Sequence, residues 1–189
     1  MVEAGLACIP QESQYAEAIR DVLQWYRENP EDWERTWEWV NRKYHQNPRY
    51  RRFSCSKGDF NIDAKLNGAY VVIGLLYGKG DPEQTIVIAM RCGQDSDCNP
   101  SSAAGVLFTT IGFSRIPERF KIELNWDGVF SHTPYSFRRL IAVCERLARQ
   151  VVAGSGGRIE RDAKGREIFL VPLEKPKPSP LEQSWEAVR

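Results

Sequence analysis

The sequence predicts an all-α fold carrying a small β-hairpin near its C-terminus. Apolar residues recur at helical spacing over most of the first two thirds of the chain. Asn-Pro and Asp-Pro helix-start signals recur at Asn29-Pro30, Asp81-Pro82 and Asn99-Pro100. A hairpin pattern with a glycine-containing turn follows only late, around Asp162–Gly165.

Ser13 to Glu28 carries Tyr15, Ala18, Ile19, Val22, Leu23 and Tyr26 on one helical face. Asn29-Pro30-Glu31-Asp32 restarts the chain, with Asn29 expected as N-cap, Pro30 in the first helical position and the acids against the helix dipole. The helix that follows carries Trp33, Trp37, Val40 and Tyr44 on one stripe and is expected to end near Asn47-Pro48. The next helix is expected over Asn61–Tyr77, stopped by Gly78-Lys79-Gly80, and its second half has almost no polar face. Asp81-Pro82-Glu83-Gln84 is an N-cap with a capping-box partner, and it opens a helix containing the equally apolar Ile86–Met90. A helix apolar all round needs neighbours all round, and the remaining amphipathic helices are too few to wrap two of them. Asn99-Pro100 opens a further helix. Pro134–Val152 reads as an amphipathic helix, Arg158–Arg161 and Arg166–Val171 as the two arms of the hairpin. The tail from Pro172 holds four of the eleven prolines and reads as a strap or loose end. Domain boundaries are therefore expected at 1–125 for the helical domain, 126–171 for a helix-plus-hairpin extension and 172–189 for the tail.

Composition excludes several function classes. The 189 residues hold 26 Lys+Arg against 25 Asp+Glu, so there is no global drive toward nucleic acid or anionic membranes. Five scattered cysteines and two histidines, His45 and His132, offer no Cys-x2-Cys pair; a disulfide framework or structural zinc is not expected, and a reducing, cytoplasmic location is. The N-terminus lacks the basic and apolar regions of a signal peptide, and no apolar run approaches the roughly 20 residues that span a bilayer. No membrane partner is expected.

Chemistry concentrates in Gly93-Gln94-Asp95-Ser96-Asp97-Cys98-Asn99-Pro100. Two aspartates two apart in a loop can aim both carboxylates to one side, and such hard oxygen donors suit Mg²⁺, Mn²⁺ or Ca²⁺. They do not fill six positions. The alternative is a polar turn in which Asp95 or Asp97 caps backbone amides. A second segment, Arg42 to Phe53, interleaves basic and aromatic residues; a phosphate grip by Arg49, Arg51 and Arg52 is one reading, and a solvated helix end packed on the tryptophan helix is the favoured one. Cys92 and Cys98 lack the spacing of a four-ligand site, His132 has no nucleophile with a supporting signature, and Gly154–Gly157 follows a helix and so reads as a C-cap.

The order from Asn67 to Phe120 is an apolar helix, Gly80-Asp81, a second apolar helix, Gly-x-Asp-x-Asp, the small-residue helix Ser101–Gly105 and Ile116-Pro117-Glu118-Arg119-Phe120. It resembles the C-terminal half of the ADP-ribosylglycohydrolase family, most specifically over Asp81–Phe120, and the 126–189 extension looks like that of a bacterial branch. The resemblance implies an orthogonal helical bundle and a hydrolase that removes ADP-ribose from protein or small-molecule conjugates, with two divalent cations, usually Mg²⁺ (or Mn²⁺). It places Asp95 and Asp97 on metal ligands, Ser96 where the family usually has Thr, and Cys98 where a Thr hydroxyl completes the ligand set. Gly93 and Ser96 would border the substrate. Nothing matches the family's N-terminal Thr-Asp-Asp motif, which implies the C-terminal part of a larger enzyme, or one piece of a split one completed by a second subunit; the general base is unassigned. A non-catalytic binding module for ADP-ribose or nucleic acid, and an inactive fragment, are the rival readings.

Overall fold

A computed structural model describes residues 1–51 and 58–181. It is helical apart from one two-stranded antiparallel hairpin, as the sequence predicts. The chain divides into two compact units, Met1–Ile116, with which residues 176–181 group, and Pro117–Lys175.

The first unit holds α1 (Val2–Leu6), α2 (Gln14–Glu28), α3 (Trp33–Val40), a π-helical turn (Asn41–His45), α4 (Ala64–Tyr77), α5 (Pro82–Arg91) and α6 (Cys98–Ile111). Its centre is α4. Leu66, Ala69, Tyr70 and Ile73 are wholly buried there, and α2, α3, α5 and α6 all pack on it. From α3 and the π turn, Val40 and Tyr44 enter the same core, with Trp33 and Trp37 packed against it. Trp25 and Trp39 stack at 5.4 Å. One face of α4 is only half covered: Val71, Val72 and Leu75 line an apolar cleft with Leu6 and Ile19. That is the outcome expected of an all-apolar helix with too few neighbours.

Three helix starts in the first unit differ from the sequence expectation. Asn29 does not cap α3; it closes α2, its amide nitrogens donating to Trp25 O at 2.8 and 3.2 Å. Asp32 therefore takes the cap, its carboxylate accepting from Arg35 N at 2.9 Å, and Pro30 lies outside the helix. α4 starts at Ala64, not Asn61, because Asn61 Oδ1 accepts from Asp63 N at 3.0 Å in a turn and Asp63 becomes the cap. α6 starts at Cys98, so Asn99 and Pro100 lie inside its first turn, where proline's missing N–H leaves no intrahelical bond unmade. Asp81 and Pro82 sit where expected, with Gln84 N donating to Asp81 at 2.7 Å.

The basic and aromatic segment folds onto α2. Lys43 Nζ lies 2.6 Å from Asp21 and 2.7 Å from Glu17; Tyr44 donates to Asp21 and Tyr50 to Glu17, both at 2.8 Å. Arg51 donates to Gly58 O and Phe60 O. Arg52, Phe53 and Cys55 lie outside the described residues.

The second unit contains α7 (Phe137–Gly154), β1 (Arg158–Arg161) and β2 (Glu167–Leu170). α7 begins three residues later than expected because Ser136 is its cap, accepting from Arg139 N at 3.3 Å. The strands pair Arg158 with Leu170 through Arg161 with Glu167, and Gly165 (φ +75°) turns the chain. Arg149 of α7 joins the hairpin through Glu167 at 2.7 Å. The apolar Ile141, Leu147 and Val151 of α7 are exposed. No described helix is long and apolar enough to cross a membrane.

The α4–α5 crossing is tight enough to reverse a helix-propensity rule. A Cβ on Gly74 would lie 2.7 Å from Ala89 Cβ and 2.9 Å from Thr85 O, whereas one on Gly105 of α6 would meet nothing within 4 Å. Gly74→Ala is expected to destabilise by about 1–3 kcal/mol through overpacking, and Gly105→Ala to stabilise by about 0.5–1 kcal/mol. Urea unfolding of the two variants checks the opposite signs.

Candidate metal centre

The loop between α5 and α6 is shaped by backbone torsion and by buried amides. Cys92 ends α5, and the chain then turns through Gly93 (φ +86°) and Gln94 (φ +59°). Gly93 meets a backbone requirement here: an L side chain at that φ is strained. Beyond it, Asp95 is half-buried while Ser96, Asp97 and Cys98 are exposed.

Asn67 of α4, a buried residue 6% exposed, holds this loop. Its Oδ1 accepts from Asp95 N at 3.2 Å and from Asn99 Nδ2 at 2.9 Å. Its Nδ2 donates to Asn61 O at 3.0 Å and Asp63 O at 3.1 Å, so all four bonding positions of the amide are used. Asn99 N also donates to Asp95 O at 2.9 Å. From the other side, Asn61 N donates to Gln94 Oε1 at 2.7 Å, and Asn61 Nδ2 meets His45 Nδ1 at 3.3 Å. An amide nitrogen only donates, so Nδ1 of His45 accepts and the ring is neutral with its proton on Nε2. Burial, then the Arg51 charge, lower the pKa of His45, with Asp59 opposing. His45, Gln94, Trp37, Arg51 and Asp59 line a polar cleft of about 720 Å³.

The structure brings Asp95, Asp97 and Cys98 together: one carboxylate oxygen of each aspartate and the Cys98 Sγ all lie within 4.8 Å of one another. The Cys98 thiol is pushed up by its hydrogen bond to Asp95, with the Asp95 and Asp97 charges adding to it. Asp97 is the N-cap residue of α6, yet at φ −104° and ψ −41° it is helical in conformation and its carboxylate accepts nothing from the helix. Asp32, Asp63 and Asp81 each cap their helices with side-chain oxygen. The capping reading therefore fails for Asp97. Cys92 is 2% exposed, its thiol pushed up by burial, so it is no reactive partner for Cys98.

Two carboxylates of this kind fit a divalent cation. The thiol beside them does not fit magnesium, which takes oxygen ligands. Gln94 and Asn99 belong to the segment that the sequence marks for chemistry, but no spacing pattern gives Asn61, Asn67 or His45 a role at the site; the signal for Asn67 is an asparagine, a weak helix former, beside the apolar run of α4.

The family model for ADP-ribosylglycohydrolase matches residues 1–156. No curated protein and no solved structure matches the chain.

Asn67→Ala removes the acceptor of Asp95 N and the shorter of the two bonds of Asn99 Nδ2, leaving it only Gly93 O at 3.4 Å; it is expected to cost about 1–3 kcal/mol and to speed hydrogen exchange at the Asp95 amide. Unchanged exchange there would disprove the support role. Protonation of His45 sets a donor against the Asn61 amide. Because its folded pKa is lowered, the unfolded chain takes the proton first, so stability falls as pH drops through about 6.5 toward the lowered folded value and levels off below it. The drop in unfolding midpoint between about pH 7.5 and about pH 5 should be smaller in His45→Gln.

Proposed function

Because the chain belongs to the ADP-ribosylglycohydrolase family, we propose that it is a metal-dependent glycosidic hydrolase that releases ADP-ribose from a protein or small-molecule conjugate. The observation that carries this reading is the convergence of Asp95, Asp97 and Cys98 within 4.8 Å on a loop whose Asp97 carboxylate is not spent on capping. Asp95 and Asp97 would hold a divalent cation, Mg²⁺ or Mn²⁺ by family resemblance and two ions in the complete site. When bound there, the cation would supply Lewis-acid polarisation of the ribose hydroxyls and a more nucleophilic water.

The chain's own residues do the positioning. Asn67 and Asn99 hold the loop backbone at Asp95, which limits the reorganisation needed when substrate arrives. Gly93 and Ser96 would border the ribose. The N-terminus of α6, at Cys98, brings its positive dipole end to the loop, where it favours the carboxylates and the pyrophosphate of the ligand. With Asp95 and Asp97 engaged as ligands, the carboxylate that takes the proton from water comes from elsewhere.

Two carboxylates and a thiol do not complete an octahedral site, let alone two. The reading therefore includes a second contribution, from an N-terminal half of the enzyme or from another subunit. The half-covered apolar face of α4 supports it, since that surface gains from being covered. The same shortfall favours a second reading, a module that binds ADP-ribose without turnover.

Calorimetric titration of ADP-ribose in Mn²⁺ or Mg²⁺, and then in EDTA, tests the proposal. Metal-dependent binding that weakens at least about tenfold in Asp95→Asn, roughly 1.4 kcal/mol, is expected. Binding indifferent to both EDTA and Asp95→Asn would overturn the metal-dependent reading. Metal-dependent binding without ADP-ribose release from a conjugate would select the binding module.

A further inference from the structure

The donor atoms of the loop bear on which cation it takes. Cys98 is the first residue of α6, exposed, with Sγ inside the same 4.8 Å cluster as the two carboxylates. A tetrahedral zinc ion, with metal–sulfur near 2.3 Å and metal–oxygen near 2.1 Å, sets its ligand atoms about 3.4–3.6 Å apart. The three donor atoms, all within 4.8 Å of one another, lie close to that spacing on a loop tied to Asn67 through Asp95 N and Asn99 Nδ2. Asp97 is available because it does not cap α6.

Magnesium gains nothing from such a thiol: it demands six oxygen ligands in near-ideal octahedral geometry. A mixed set of carboxylates and one thiolate instead matches borderline transition-metal ions, for which sulfur adds affinity. We infer that the loop binds a zinc-class divalent cation through Asp95, Asp97 and the Cys98 thiolate, and that Cys98 selects this cation over magnesium. The inference rests on the metal-site reading of Asp95 and Asp97 above and adds the identity of the ion. Binding forms one metal–sulfur bond, breaks the S–H bond and releases that proton to solvent, with no change of oxidation state.

Cobalt(II) is the probe, because thiolate ligation gives a near-ultraviolet charge-transfer band that carboxylates do not. Co²⁺ is titrated into the full chain and into Cys98→Thr and Asp95→Asn, with Zn²⁺ and Mg²⁺ competition and circular dichroism to confirm folding. The wild-type band is expected to appear, to be displaced by Zn²⁺ and not by Mg²⁺, and to vanish in Cys98→Thr. Zn²⁺ should weaken by more than about tenfold in that variant, while Mg²⁺ binds at least as well as before. Cobalt bound without the band, lost in Asp95→Asn but unchanged in Cys98→Thr, would overturn the role of Cys98 and leave the carboxylate site standing. A band indifferent to both substitutions would belong to another thiol and overturn the inference. No cobalt binding by the folded wild-type chain would sink the metal site itself.

Discussion

The structure depends on one constraint: α4 has almost no polar face to offer water. Leu66, Ala69, Tyr70 and Ile73 must be covered, and the first unit is arranged so that α2, α3, α5 and α6 do this. Exposing such a side chain forgoes about 1.5–3 kcal/mol each, so the helices have little freedom to sit elsewhere. Close approach is built in by glycine: at Gly74 the Ala89 Cβ comes near enough that no side chain fits between. The face bearing Val71, Val72 and Leu75 is the one place where the constraint is only half met.

The same helix positions the site. Asn67 is a polar residue in an otherwise apolar environment, and a buried amide must find partners or cost several kcal/mol. It finds them on both sides, in the Asn61–Asp63 turn and in the Asp95–Asn99 loop. Burial of α4 is thereby converted into a fixed loop geometry. The Asp97 carboxylate is then left for chemistry, which is why an N-cap aspartate that does not cap is informative.

Electrostatics divides the first unit into settled and unsettled charge. Lys43 pairs with both Glu17 and Asp21 at the surface of α2, with Tyr44 and Tyr50 donating into the cluster. That satisfied network gives the basic and aromatic segment a structural job. Asp95 and Asp97 have no such cation beside them among the described residues; a thiol is their neighbour. Two carboxylates close together without a counter-charge form a place where a cation lowers the energy.

Local signals were legible in the sequence because their physics is local. The periodicity of α2, α3 and α7, the Asp81-Pro82 start and the hairpin turn all depend on residues three or four apart or on a single glycine. Asp95 and Asp97 were visible as paired carboxylates for the same reason, and the family was recognisable from the order of such signals. Where two local signals competed, only the folded chain decided. Asn29 could cap either helix and closes α2, and Asn61 could open a helix and makes a turn instead. The amide network among Asn61, Asn67, Gln94 and Asn99 joins residues about thirty positions apart, and no spacing rule reports it. Whether Asp97 caps or stands free, and whether Cys98 meets the carboxylates, followed from the torsions of one loop held by a distant helix. The residue types and their order were a property of the chain; which of them face one another was a property of packing around α4.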